Sequence, residues 1–153
     1  MKTDNLKKEL FNEVKKKGII KEQYSMYSEN PAFTEIISVL LHSRIQVHIF
    51  HWQTNSQSSF AEHSALGGYY ESIGDLTDGI VESFQGKNGI VKDYASIKLD
   101  NYRDVEQLIS YFEKINTIID NNRTNIQESY IQNQIDGVQE LLYSTLYKLK
   151  FLK

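Results

Sequence analysis

Cysteine is absent from the 153-residue chain. That excludes disulfides, thiolate zinc sites and iron–sulfur clusters, so any metal has to be held by histidine, aspartate or glutamate. Proline occurs once, at Pro31, and so few helix breakers fit long helices better than many turned strands. No apolar run approaches the ~18 residues of a membrane span, and residues 1–18, MKTDNLKKELFNEVKKKG, hold no apolar stretch of signal-peptide length. These two absences lead to the expectation of a cytoplasmic protein with no membrane contact. There is no nucleophile–base arrangement and no glycine-rich phosphate loop. A large excess of one charge is missing too: 17 basic against 20 acidic residues leave a net charge of −3, which argues against a protein that is basic overall. Lysines nevertheless gather at the start, at Lys2, Lys7, Lys8, Lys15, Lys16, Lys17 and Lys21. One reading is a solvated terminal helix; the other is an arm that binds DNA phosphates.

What is present is helical periodicity. A composition of 40% hydrophobic and 24% charged residues fits one globular domain over residues 1–153. Residues 4–17 suit a short lysine-rich helix inside an N-terminal extension, 1–30, with Gly18 as its stop. Pro31 opens the first long helix, expected to run to about residue 55 with Ile37, Leu40, Leu41, Val47 and His51 in helical spacing. A polar break, TNSQSS at 54–59, follows, with Ser59 as a candidate cap and Glu62 as its partner. The second helix is expected over 60–85, with Leu66, Tyr69, Tyr70, Ile73, Leu76, Thr77, Ile80, Val81 and Phe84 forming its stripe. Residues 86–101 read as a linker. The third helix is expected over 102–121 and the fourth over 129–151, the latter packing through Ile131, Ile135, Val138, Leu142, Leu149 and Leu152. No strand pattern stands out. The fold class is therefore all-α: a ferritin-like four-helix bundle over 31–153 whose long linker crosses the bundle between the second and third helices. Up-down-up-down is the alternative if that linker merely loops out.

The chemistry-bearing residues lie in FHWQTNSQSSFAEHSALGGYYESIGDLTDGIVE, residues 50–82. His51, His63, Asp78 and Glu82 are separated by 12, 15 and 4 residues. Asp78 and Glu82 lie one turn apart and share a helix face. His63 precedes Asp78 by 15 residues on the same helix, a separation of roughly 22 Å at ~1.5 Å per residue. One subunit cannot close a metal site from all four. A short antiparallel turn brings His51 beside His63, so the chain carries a histidine half-site and a carboxylate half-site at opposite ends of one helix. A two-fold axis that sets two second helices antiparallel completes both. Gly67, Gly68, Gly74 and Gly79 fall inside this helix, where each is unfavourable by ~1 kcal/mol relative to alanine; such a small-residue face fits close contact with a second helix. The other candidates are weaker: His48, one turn before His51, as a hydrogen-bond partner behind the site or a core-edge residue; His42, with no matched partner, as a surface residue; Arg44, as an ion-pair partner of Glu106 or Glu113.

His51-Trp52, His63, Asp78 and Glu82, at these spacings, resemble the ferroxidase signature of the Dps mini-ferritins, most strongly over residues 33–86. The resemblance implies iron bound by these four residues between two-fold-related subunits, with Trp52 packed beside the metal. It further implies oxidation of Fe(II), a homo-oligomer of which the dodecamer is one form, and iron storage or DNA protection. The chain as a whole also resembles small phage-encoded proteins through HWQT, AEH, QGK and TLYKL, which would place it in a host cytoplasm. One departure from the Dps pattern stands out. A further acid is expected one turn after the second histidine, and Gly67 occupies that position. The remaining two nitrogens and two oxygens form a set that zinc accepts as well. The alternative is therefore a non-enzymatic ferritin-like structural or interaction protein with a zinc or vestigial site.

Overall fold

The computed structural model describes residues 27–55 and 60–152; the lysine-rich helix expected at 4–17 and the Ser59 cap lie outside the described residues. Four long helices carry the fold: α1 (Pro31–Gln53), α2 (Phe60–Asn88), α3 (Val105–Arg123) and α4 (Ser129–Phe151). Asn30 caps α1 by accepting from the Phe33 N–H at 3.0 Å, with Pro31 in the first turn where its missing donor is harmless. Asp104 caps α3 in the same way, at 2.7 Å from the Gln107 N–H, which is why that helix begins three residues later than its periodicity suggested. α2 runs on to Asn88 because its last turn is held from outside. Asn88 donates to Phe84 O and to Glu128, and Lys87 pairs with Glu128 at 3.2 Å. Gly89, at φ 89°, then turns the chain out of the helix in the left-handed region that glycine tolerates.

Among the described residues the bundle is all-α apart from one parallel bridge, β1 (Tyr27–Ser28) with β2 (Ile90–Val91), too short to leave a pattern in the sequence. α1 packs against α2 and α3, and α4 packs against α2 and α3. Residues rising along α2 meet residues falling along α4, from Gly79 with Gln134 to Asn88 with Glu128, so those helices are antiparallel. α3 and α4 are antiparallel too, joined by Gln139 to Asp120 and Lys150 to Glu113.

The linker between α2 and α3 crosses the bundle along α1, and its course is written in hydrogen bonds. The Ala95 N–H donates to Ser38 Oγ at 2.9 Å. Gln46 grips Asp100 through both amide atoms, at 2.8 and 2.6 Å. Gln53 accepts from the Tyr102 N–H at 2.6 Å and donates to Asn101 at 2.9 Å. From Ser38 to Gln53 a helix climbs roughly 22 Å, and an extended chain from Ala95 to Tyr102 spans roughly 23 Å, so the two run side by side without slack. α3 therefore starts beside the end of α1 and runs back along it, parallel to α2. This is the single long crossover of a ferritin-like connection rather than an up-down-up-down chain.

His42 takes part in this clamp, contrary to its reading as a surface residue. Its Nε2 lies 3.0 Å from the Lys98 carbonyl, which only accepts, so Nε2 carries the proton and Nδ1 accepts from the Tyr111 hydroxyl at 2.9 Å. Burial pushes the Tyr111 hydroxyl well above the ordinary tyrosine range, so it remains a donor. The partners lie 56 and 69 residues away along the chain, beyond the reach of local pattern.

Phe33 stacks on Phe84 at 3.7 Å in the core, and Tyr69 meets Phe112 edge-on, its hydroxyl paired with Ser43 at 2.8 Å. Two residues expected inside are not: Leu41 and Leu152 are exposed. Leu152 lies past the end of α4. Leu41 belongs to a second apolar stripe on α1, with Ile45 and Trp52, that faces away from the core.

Candidate metal centre

The last turn of α1 and the first turn of α2 bring His51 and His63 together, with ring centroids 3.7 Å apart and planes 27° from parallel. His51 Nδ1 lies 3.0 Å from the His63 carbonyl oxygen. His63 Nδ1 lies 2.9 Å from Thr54 Oγ1, and Thr54 Oγ1 donates to the His51 carbonyl at 2.8 Å. Both Nδ1 atoms are thus engaged, whereas neither Nε2 has a hydrogen-bond partner among the described residues. A histidine held at one nitrogen and open at the other could take a metal at the open one. The lone pairs lie in the ring planes, and planes 27° apart with centroids 3.7 Å apart intersect roughly 8 Å away, well beyond the ~2.1 Å of a metal–imidazole bond. As arranged, the two imidazoles could not share one ion; each could serve only an ion of its own.

His48 stacks on Tyr70, centroids 4.0 Å apart, and on Trp52 at 4.2 Å; its ring is 6.4 Å from that of His51. Trp52 is 69% exposed, so it covers His48 from the outside instead of joining the core. Gly67 faces the His51 ring: a Cβ there would meet His51 Cε1 at 3.4 Å and Nδ1 at 3.7 Å. The position where the Dps pattern carries an acid therefore lies against His51, and it is empty of side chain. Glu62 is turned to the crossover, where it accepts from the Tyr102 hydroxyl at 2.9 Å.

Asp78 and Glu82 are exposed on α2, where Glu71 and Asp75 share their outward side. Neither Asp78 nor Glu82 has a hydrogen bond or ion pair among the described residues. The chain does not bring them to the histidines, and among the described residues no group of three or more potential metal ligands forms within one chain. Between the two half-sites stands Arg44. Its guanidinium lies over Gly74, where a Cβ would come within 2.9 Å of Cζ. The expected pairing of Arg44 with Glu106 or Glu113 is not formed. Arg44 is on the α2 side of α1, and Glu113 is bound by Lys150 at 2.7 Å.

Two residues that the spacing argument passed over turn out to matter, Gln53 and Thr54. Both belong to the HWQT run beside His51, which was the available signal. Gln53 ties the crossover to α1, and Thr54 ties His63 to His51.

No helix among the described residues is long and apolar enough to cross a membrane. The chain belongs to the DUF5856 family, a family of unknown function, whose match covers residues 51–149 and so contains all four candidate ligands. No curated protein and no solved structure matches the chain.

Proposed function

We propose that this chain binds transition-metal ions between two copies of itself, with Fe(II) as a substrate that it oxidises, as its resemblance to the Dps mini-ferritins implies. The observation that carries the reading is the division of the ligand set. Two imidazoles present Nε2 atoms with no partner among the described residues at one end of α2, and two carboxylates, also unpaired among the described residues, sit on the outward side of the same helix, roughly 22 Å further along. A two-fold axis between antiparallel α2 helices sets each pair against the other. It also sets Arg44 of one copy against the acidic side of α2 in the other, so those charges are complementary. The apolar stripe of Leu41, Ile45 and Trp52 lies on the neighbouring face of α1 and supplies surface for two copies to bury.

The donor set fits the ion. His51 and His63 provide neutral nitrogen; Asp78 and Glu82 bring two negative charges that balance a divalent cation. Iron held there supplies redox chemistry toward an oxidant, and four protein ligands spread over two ions leave positions open for it. Trp52 and Tyr70 enclose His48 behind the pair and limit water on that side. Closure into a larger shell, a dodecamer in the resemblance, would extend the role to iron storage; DNA protection would fall to the N-terminal lysines, which lie outside the described residues.

The second reading, a non-enzymatic protein holding zinc, is favoured by Gly67. The missing carboxylate removes a hard oxygen donor next to His51, which weakens an Fe(II) site more than a zinc site. Anaerobic Fe(II) loading followed by oxygen, with the ferric product read by absorbance and the assembly by native mass, separates the two. Iron uptake by a dimer or larger assembly with ferric product supports oxidation. Zinc uptake without ferric product supports the second reading. A particle that stays monomeric at micromolar concentration with either metal defeats both.

A further inference from the structure

We infer that Thr54 is a positioning residue that fixes His63 with its proton on Nδ1 and its lone pair on Nε2. The inference rests on the metal reading for its purpose, but not for its geometry. Thr54 ends α1, with its own N–H bonded to Phe50 O. Its hydroxyl has one proton and stands between two groups, the His51 carbonyl at 2.8 Å and His63 Nδ1 at 2.9 Å. The carbonyl only accepts, so the proton goes there. The hydroxyl then has only lone pairs left for His63, and Nδ1 must carry the hydrogen. His51 obeys the same logic directly. Its Nδ1 faces the His63 carbonyl at 3.0 Å, which also only accepts, so that Nδ1 carries a proton as well. The three bonds close a ring: His51 to the His63 carbonyl, His63 to Thr54, Thr54 to the His51 carbonyl. Its direction is set at two points by main-chain carbonyls that cannot reverse.

The two imidazoles depend on this ring unequally. His51 is held by backbone alone. His63 is held through a side chain, so its tautomer hangs on residue 54. A neutral imidazole free in water prefers the proton on Nε2, the nitrogen a metal needs bare. Without the hydroxyl, His63 returns toward that preference and a metal must displace it. Partners of this kind behind a metal-binding histidine change affinity by about 10–100-fold.

The test is made first on the metal-free protein, by ring 15N chemical shifts at a pH where the imidazoles are neutral. In the unaltered chain both histidines are expected to show protonated Nδ1. Thr54→Val keeps the shape and removes the hydroxyl; His63 should shift toward protonated Nε2 while His51, the internal control, stays as it was. Thr54→Ser should restore His63. A protonated Nε2 on His63 in the unaltered chain, or no change in Thr54→Val, overturns the inference. Thr54→Ala serves the same purpose if the valine variant does not fold. Titration with Zn(II) alone is the second arm: Thr54→Val is expected to bind 10–100-fold more weakly and Thr54→Ser to recover, and equal affinities across the three reject the positioning role. If the unaltered chain takes up no metal, the proposed function falls, and the ring shifts still decide what Thr54 does.

Discussion

Placing an acid at position 67 tests the proposed centre most directly. In Gly67→Asp the new Cβ lands 3.4 Å from His51 Cε1 and 3.7 Å from Nδ1, ordinary contact distances, so the histidine ring has no need to move. Aspartate is a slightly better helix former than glycine, by a few tenths of a kcal/mol, and the site is half-buried; thermal stability should change little. A carboxylate one bond beyond that Cβ would come within roughly 5 Å of an ion held by His51 at an ordinary metal–nitrogen distance. A divalent ion and a unit charge at that distance attract by ~2 kcal/mol even at the dielectric of water. Salt screening trims this, leaving about tenfold tighter binding of Fe(II), with faster oxidation. Binding by competition titration and assembly by native mass should be read on one sample. Tighter binding in an intact assembly is the expected result. A monomer would mean that Gly67 is itself a close contact between copies, which keeps the two-fold arrangement but removes room for the acid. An intact assembly with unchanged affinity refutes the reasoning, because the carboxylate would then sit beside no ion.

Three further outcomes are expected. Ile45→Lys, at a side chain 56% exposed on the outer face of α1, should shift native mass toward monomer while altering monomer stability by no more than ~0.5 kcal/mol; an unchanged mass distribution would remove that face from the interface. Gln46→Leu strips the buried amide that binds both the N–H and the C=O of Asp100, so denaturant melts should show a loss of about 1–2 kcal/mol, softened because Asp100 itself is exposed to water, and amide exchange at Asp100 should quicken; unaltered exchange there would mean that the crossover is held elsewhere. Glu128 is held below the ordinary glutamate range because, against the desolvation that raises it, hydrogen bonds from Asn88, its own backbone and Lys87, together with the Lys87 charge, lower it. A depressed carboxylate contributes stability that is full above its unfolded value and lost as pH falls through the folded one, so Glu128→Gln should flatten the acid limb of the stability–pH curve, and an identical limb in both proteins would contradict this.

The helices were legible where one face alone is apolar. In α2, Leu66, Tyr69, Ile73, Ile80 and Phe84 are all buried as the spacing required. α1 was harder, because Leu41, Ile45 and Trp52 are apolar on the side away from the core, and a pattern in sequence does not say which apolar side meets its own bundle. The crossover was legible as a length but not as a path. Its order comes from Ser38, His42, Gln46 and Gln53 bonding to main-chain groups some 50 residues away in the chain, and such bonds follow from tertiary contact rather than local propensity. The same holds for the candidate centre. Helical rise alone separates Asp78 from His63, and the short break alone joins His51 to His63. The role of Thr54 needs the position of one hydroxyl between two acceptors, which no spacing rule contains.

The division of the ligand set has a thermodynamic consequence. A single chain gathers no group of three or more ligands among the described residues, so on the proposed function a metal ion would find its full set only where two copies meet, and binding and association would be linked. A ligand that binds only the associated form stabilises it by ~2.7 kcal/mol when present at 100 times its dissociation constant, which is roughly a hundredfold in the association equilibrium. Metal should therefore lower the concentration at which copies pair, and His51→Ala should abolish that shift while leaving whatever association the apolar face of α1 provides on its own. Sedimentation with and without Zn(II), at several protein concentrations, reads both quantities. If metal leaves the association of the unaltered chain where it was, the two half-sites do not face each other, whatever each binds alone.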